Sequence, residues 1–421
     1  MRIALIGNMN NNFFSAMRYF RDLGLDAHLL MYANEQTHFL PENDTWRIED
    51  WSPYVRTLPF NRGCRDYLFA TPAAVRRELC GFDFFIGCGP APAYFHKAGM
   101  TLDLMFPYGA GIEYIVDAQF RLSDLKRSIY GQIMKHFQTL GLQRNTSLCV
   151  SMDVETASSA AFRDLRLPLR RLSIPMVYTG ETPPEESLPE DLRSVLAEFA
   201  RWDFVVLSHA AHQWKNMPPH WTGKFVGKKN DTLIRGFAQY VQQTGARDSA
   251  LVLFEYGVDV PESKRLIEEL GIAAQVLWLP LMPRKKIMVL LRRVDFGAGE
   301  FGDGFWGGTG WEVMASGKPL LNYVRCTPEE FRSAFGHEIP PILNVRTPEE
   351  IAGHLARGRT DPEHYRRIGE ESGRWFHEHD GLGLARKWKE LIEELAGLRL
   401  RQGGAGLAAR PGSGSNVSSV A

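Results

Sequence analysis

The sequence predicts an α/β chain of two doubly wound domains that face each other across a cleft. Three observations carry this reading. Residues 2–31 run strand, polar loop, helix, strand, which is a βαβ unit. Over residues 204–323, strand-length apolar runs alternate regularly with helical patterns, as in a parallel sheet covered on both faces. Between these two series the segment TGETPPEESLPED is rich in Pro and acid and poor in apolar residues, which suits an exposed connection.

In the first half, residues 2–6 form an apolar run ended by Gly7. A polar turn follows, then a helical pattern over 13–23 and a strand at 27–31. Further apolar runs at 82–86 and 148–150 are punctuated by Pro, Gly and polar residues. Residues 1–178 therefore read as one Rossmann-like domain. In the second half, strands are expected at 204–207, 250–254, 275–279, 294–296 and 319–323. Helices are expected at 233–243, 263–270, 285–291 and 311–315, the last preceded by a Gly-rich loop. These fall within a second Rossmann-like domain, residues 179–384. A closing helix, residues 385–400, is expected to pack back toward the first domain. The Gly/Ser/Ala-rich residues 401–421 are expected to be disordered. Two such sheets set face to face leave a crevice at their strand C-termini, where ligands of this architecture bind.

The bulk composition excludes several classes. The 421 residues carry 49 basic and 49 acidic side chains, so no overall field argues for nucleic acid. Cys64, Cys80, Cys88, Cys149 and Cys326 are odd in number and widely spaced, which fits reduced thiols rather than disulfides or a zinc site. The opening MRIALIGNMNNN has too short an apolar run for a signal peptide, and no stretch is apolar enough to span a bilayer. A cytoplasmic protein is expected. Residues 121–144 place Lys126, Arg127, Lys135 and Arg144 among apolar residues. That pattern suits an ordinary amphipathic surface helix, or one resting on the inner face of an anionic membrane.

Two phosphate motifs are tempting and fail. Residues 297–302, GAGEFG, spell G-x-G-x-x-G, but more loop follows and the later acid of a dinucleotide fingerprint is Asn322. GKFVGKK, 223–229, has too few residues between its glycines for a P-loop and no Ser or Thr after the lysine. The segment GGTGWEVMASGKP, 307–319, is more informative. Gly307, Gly308 and Gly310 permit close backbone approach, and Thr309 is a cap or hydroxyl donor. The helix N-terminus then offers amides and a positive dipole end to a diphosphate. Glu312 in the first turn would point past the phosphates, and a ribose diol is the natural partner of such a carboxylate. The same residues also read as a Gly-rich connector with a dipole-stabilising Glu, and local features leave both readings open.

Here a resemblance enters. Glu312-Val-Met-Ala-Ser-Gly-Lys-Pro resembles the E-A-M-A-x-G-K/R-P signature of glycosyltransferase family 4. The likeness extends over about 204–398 and includes Lys229-Asn-Asp-Thr-Leu-Ile-Arg, Leu270-Gly-Ile and Val276-Leu-Trp-Leu-Pro-Leu-Met-Pro. It implies the GT-B fold and a nucleotide-diphosphate sugar as donor substrate, with no separate cofactor. It further implies Glu312 on the ribose, Lys229 on the diphosphate, and a backbone contact near Leu281 for the base. The family's further acid, eight positions before the ribose one, falls at Gly304, so Asp303 or Glu300 would have to substitute. The family's Arg falls at Lys224 by counting, or at His209 or His212 by strand context. On the N-terminal side the loop at Gly7 and Asn8 and the segment bearing Tyr108 and Glu113 are cleft candidates. No catalytic residue is assigned, and His96 is read as structural.

The chain contains no D-x-D, the carboxylate pair with which metal-dependent transferases hold a divalent cation. No metal site is expected. The resemblance implies a retaining, metal-independent hexosyl transfer to a glycan, lipid-linked or other acceptor. Two other classes stay open: a nucleotide-sugar epimerase or phosphorylase on the same fold, and a non-catalytic nucleotide-sugar-binding homologue.

Overall fold

The computed structural model describes residues 1–35, 37–60, 66–107, 115–116, 120, 122–151, 164–216, 227–302 and 304–408. The first sheet is parallel and has seven strands: β1 (Arg2–Ile6), β2 (Asp26–Met31), β3 (Val55–Thr57), β4 (Phe84–Gly87), β5 (Leu102–Met105), β6 (Thr146–Ser151) and β7 (Leu169–Arg171). Their order is β3-β2-β1-β4-β5-β6-β7. The second has six: β8 (Phe204–Ser208), β9 (Ser249–Phe254), β10 (Val276–Leu279), β11 (Phe296–Ala298), β12 (Leu320–Asn322) and β13 (Leu343–Asn344), in the order β10-β9-β8-β11-β12-β13. All registered pairs are parallel. The central strands are continuously apolar because helices cover both faces; every residue of β4, β8 and β9 is buried.

Each sheet reverses its strand order once, at β1/β4 and at β8/β11. These reversals open the crevices into which the loops after β1, β8 and β11 emerge. The two halves are the doubly wound pair that the alternation predicts.

The chain crosses between the halves twice, around 172–182 and again near 380. After the second crossing the helix Leu382–Ala408 lies against the first domain; it starts three residues earlier and ends eight residues later than the expected 385–400, so residues 401–408, expected to be disordered, continue the helix. Trp388 on that helix is fully buried, packs its ring near Phe20 and Phe106, and donates from Nε1 to the Ser173 carbonyl at 2.6 Å. Arg170 makes a forked pair with Glu394 at 2.7 and 3.1 Å, and Lys389 reaches the Leu23 carbonyl at 3.1 Å. Among the described residues no helix is long and apolar enough to cross a membrane.

One element starts earlier than expected. Gly307, Gly308, Thr309 and Gly310, read as loop, are the first turn of the helix Gly307–Ala315. Low glycine propensity hid the turn; packing supplies what propensity lacks, since a Cβ on Gly310 would lie 2.4 Å from that of Trp306.

Candidate functional site

The site forms where the second sheet reverses. β11 ends in a loop that feeds the Gly307–Ala315 helix, whose N-terminus therefore points into the crevice. The first intrahelical bond of this turn is Gly310 N–H to the Trp306 carbonyl, 3.0 Å. The amides of Gly307, Gly308 and Thr309 precede it and carry the positive end of the helix dipole. A Cβ on Gly308 would meet nothing within 4 Å, so the backbone is open there. Gly307 differs: its φ is +56°, and a Cβ would lie 2.8 Å from Glu300 Oε1.

Glu312 lies in the same helix and is only 6% exposed. Its Oε1 accepts from Arg284 Nε at 2.6 Å and its Oε2 pairs with His209 Nε2. Burial pushes the carboxyl pKa up, but the charges and hydrogen bonds of His209 and Arg284 outweigh burial and hold it at about 2. Glu312 is therefore an ionised acceptor that stands in the second turn, one turn further from the open helix end than the sequence predicts, because the helix starts at Gly307.

Glu300 sits on the loop after β11. Its N–H donates to Asn322 Oδ1 at 2.7 Å, and its carboxylate pairs with Lys228 Nζ. It lies against Gly307. Gly304, the position where the resemblance expects an acid, has φ +80°, and a Cβ there would strike Arg325 Cβ at 2.6 Å. A tight turn takes the place of a side chain, and Glu300 is the described acid nearest the helix end. Lys229 has φ +54° and begins the Asn230–Thr244 helix. The preceding residue, not Lys229, engages Glu300. The loop is pinned to its neighbour by Phe301 N–H to the Lys228 carbonyl, 3.0 Å.

Several expected residues do other work. His212 is fully buried, bonded through Nδ1 to Ser263 Oγ at 2.8 Å and packed by Trp278. Burial lowers its pKa to about 4, so it is a neutral core imidazole. This corrects its candidacy: between the two histidines, His209 is the one beside Glu312. Asn8 is also fully buried. Its Nδ2 donates to Asn11 Oδ1 (2.8 Å) and the Phe39 carbonyl (2.6 Å), and its Oδ1 caps the Phe14 amide (3.0 Å). With both amide protons and one lone pair of Oδ1 engaged within the fold, its side chain braces the loop. Gly7, with φ +91°, allows this loop to pass Cys88, whose Sγ would sit 2.5 Å from a Cβ. Leu281, past the end of β10, is 59% exposed and open to a ligand backbone contact. His96 is bonded to Asn145 at 2.8 Å. Tyr108, Glu113, Lys224 and Asp303 lie outside the described residues.

The residue that the sequence reading missed is Arg284. It stands at the start of the helix Arg284–Leu291 and reaches from Glu312 across to the first domain. A signal existed. Three cations, Arg284, Lys285 and Lys286, occupy the first turn of that helix, against its dipole, and such an arrangement needs outside acceptors. Among the described residues no group of three or more His, Cys, Asp or Glu is arranged to hold a metal ion.

The two facing doubly wound domains, the switch-point crevice and the closing helix define the GT-B fold. No protein-family model matches the sequence, and no curated protein matches it. Solved structures do. Anabaena HepE in complex with UDP and glucose aligns over 94% of this chain and 100% of its own, with a TM-score of 0.58 and 16% identity. Sucrose-phosphate synthase from Thermosynechococcus elongatus aligns over 94% and 99%, with a TM-score of 0.56 and 14% identity. A putative UDP-N-acetylglucosamine 2-epimerase from Listeria monocytogenes aligns over 91% and 93%, with a TM-score of 0.53 and 11% identity.

Proposed function

We propose that this chain is a glycosyltransferase that moves a sugar from a nucleoside-diphosphate sugar to an acceptor. One observation carries the reading: a helix N-terminus open at Gly308 and an ionised, buried Glu312 in the same helix, together at a sheet switch point. Amides and dipole suit a diphosphate, and the carboxylate suits a ribose diol. That HepE is solved with UDP and with UDP-glucose supports the same ligand class here.

In this reading the amides of Gly307, Gly308 and Thr309 cradle the diphosphate, with Lys229 and Lys224 as its cations; Gly310, expected among them, spends its N–H on the Trp306 carbonyl and packs against that ring instead. Glu300, or Asp303, faces the transferred sugar, and the backbone by Leu281 receives the base. The first-domain loop at Gly7 and Asn8 shapes the acceptor side, and Tyr108 and Glu113 are its further candidates from the sequence. The acceptor oxygen bonds to the anomeric carbon as the bond to the diphosphate breaks; the acceptor's hydroxyl proton passes to the departing diphosphate oxygen, and the remaining charge on the diphosphate is met by amides and lysines. Such neutralisation suits a metal-independent reaction, and the family 4 resemblance makes it a retaining hexosyl transfer. A glycan or lipid-linked acceptor follows from the same resemblance. The exposed Phe120, Leu122, Leu125 and Ile129, next to Lys126, suit contact with the inner face of a membrane.

The test is calorimetry with a panel of nucleotide sugars, followed by turnover assays with and without acceptors. Sugar transfer sustains the proposal. Interconversion of the donor without an acceptor would favour an epimerase, a reading to which the Listeria structure lends weight. Binding without turnover would favour a non-catalytic homologue, and failure to bind any nucleoside diphosphate would sink all of these.

A further inference from the structure

Arg284 is poised between the two domains. Its side chain is 16% exposed, and four of its N–H bonds have acceptors in different parts of the fold. Nε donates to Glu312 Oε1 at 2.6 Å, within its own domain. Nη2 donates to the Asn10 carbonyl at 3.1 Å, on the loop after β1. Nη1 donates to the Met176 carbonyl at 3.3 Å, on the crossover, and to Asp44 Oδ1 at 3.4 Å. Asp44 is itself rigidly held. Its other oxygen pairs with Arg18, which is buried between the rings of Phe14 and Tyr178, its Cζ 4.2 and 4.4 Å from their centroids.

We propose that Arg284 is a positioning residue that ties the Glu312 carboxylate to the N-terminal domain, so that Glu312 is set for the donor only while the two domains are apposed. This rests on the reading of Glu312 as a donor ligand. The argument is geometric. Three of these four acceptors belong to the first domain or the crossover; separating the domains removes those three, while Glu312 stays on the same domain as Arg284. Apposition fixes the guanidinium plane, and the plane fixes one carboxylate oxygen. The Asn10 carbonyl belongs to a turn in which Asn10 and Asn11 both have positive φ, +54° and +58°, so the same cation also braces the cleft loop. A lysine carries the charge on one nitrogen, whose three donors cannot cover the four acceptors that the guanidinium reaches from three separate nitrogens.

The test uses the full chain and UDP, with GDP and ADP as alternative probes, in calorimetric titrations of Arg284→Met, Arg284→Lys, Glu312→Gln, Asp44→Asn and the pairwise combinations with Arg284→Met. Circular dichroism confirms folding, and Arg284→Lys stands in should the Met variant fail to fold. The expected result is about tenfold weaker nucleotide binding for Arg284→Met and a smaller loss for Arg284→Lys. In the Glu312→Gln background Arg284→Met should add less than about twofold, because the residue acts through that carboxylate. Asp44→Asn should weaken binding in the wild-type background and not in Arg284→Met; Glu181, 3.8 Å from Arg18, leaves that cation a carboxylate. Wild-type affinity in both Arg284 variants, or full additivity in either cycle, overturns the inference while the donor site stands. If Glu312→Gln binds as wild type does, or the wild type binds none of the three nucleotides, the donor reading itself falls and takes this inference with it.

Discussion

Glu312→Gln separates the electrostatic role of this carboxylate from its shape. The native pKa is about 2, against an ordinary value of 4.5. At about 1.4 kcal/mol per unit, the difference is worth roughly 3 kcal/mol of folding stability when the group is ionised in both states. The folded pKa is depressed, so this contribution is fully present above pH about 4.5 and is lost as pH falls toward 2. Glutamine keeps one oxygen acceptor for Arg284 or His209, which brings the expected deficit at pH 7 down to about 2 kcal/mol. Urea unfolding of both proteins, followed by circular dichroism at pH 7, 5 and 3, measures it. The gap should be unchanged between pH 7 and 5 and narrower at pH 3; carboxylates elsewhere titrate alike in both proteins and cancel. Equal stability at pH 7, or a gap that persists undiminished at pH 3, would refute the claim that His209 and Arg284 hold Glu312 ionised against burial.

Other outcomes follow from the same geometry. Gly308→Ala should leave thermal stability within about 1 kcal/mol, yet weaken UDP binding measured by calorimetry, because its Cβ enters open space at the helix end. Gly310→Ala should instead destabilise by about 1–3 kcal/mol in denaturant unfolding, since its Cβ would collide with Trp306. Lys228→Met should lower stability by about 1–3 kcal/mol by leaving the Glu300 carboxylate without its cation, whereas Lys229→Met should cost UDP affinity with little change in unfolding midpoint. Trp388→Ala should cost about 3–5 kcal/mol, read from urea unfolding, because the closing helix loses its largest fully buried side chain.

The fold was readable because its strands are buried on both sides. β1, β8 and β9 are apolar apart from one terminal residue each, and helical periodicity separates them. What escaped was short or marginal. β3, β7 and β13 have three, three and two residues, too few for any period to register. Within the site, Glu312 was marked by its position after a Gly-rich turn, a purely local cue. The candidacy of His212 and Asn8 rests on sequence neighbourhood, and both serve the scaffold: Ser263 pairs with Nδ1 of His212, and the Phe39 carbonyl takes one amide proton of Asn8. No local pattern reports a partner 51 or 31 residues away.

Arg284, Lys285 and Lys286 show how such a blind spot narrows. Three cations in a helix's first turn lie against its dipole and each other, an arrangement unfavourable by several tenths of a kcal/mol per charge. The structure supplies the compensation from outside the helix in every case: Glu312 and Asp44 for Arg284, the Thr45 carbonyl for Lys285 at 3.0 Å, and Asp191 for Lys286. Asp44 and Thr45 belong to the first domain and Asp191 to the segment that follows the crossover, so a locally unfavourable turn is the point at which the second domain grips its surroundings. The same logic applies at Gly304. A glycine with φ +80° set against Arg325 is the cost of a longer loop between Glu300 and Glu312, and that longer loop carries the acid back to Gly307. Departures from local preference at these two places mark where the chain is shaped by long-range contacts at the crevice rather than by its own secondary structure.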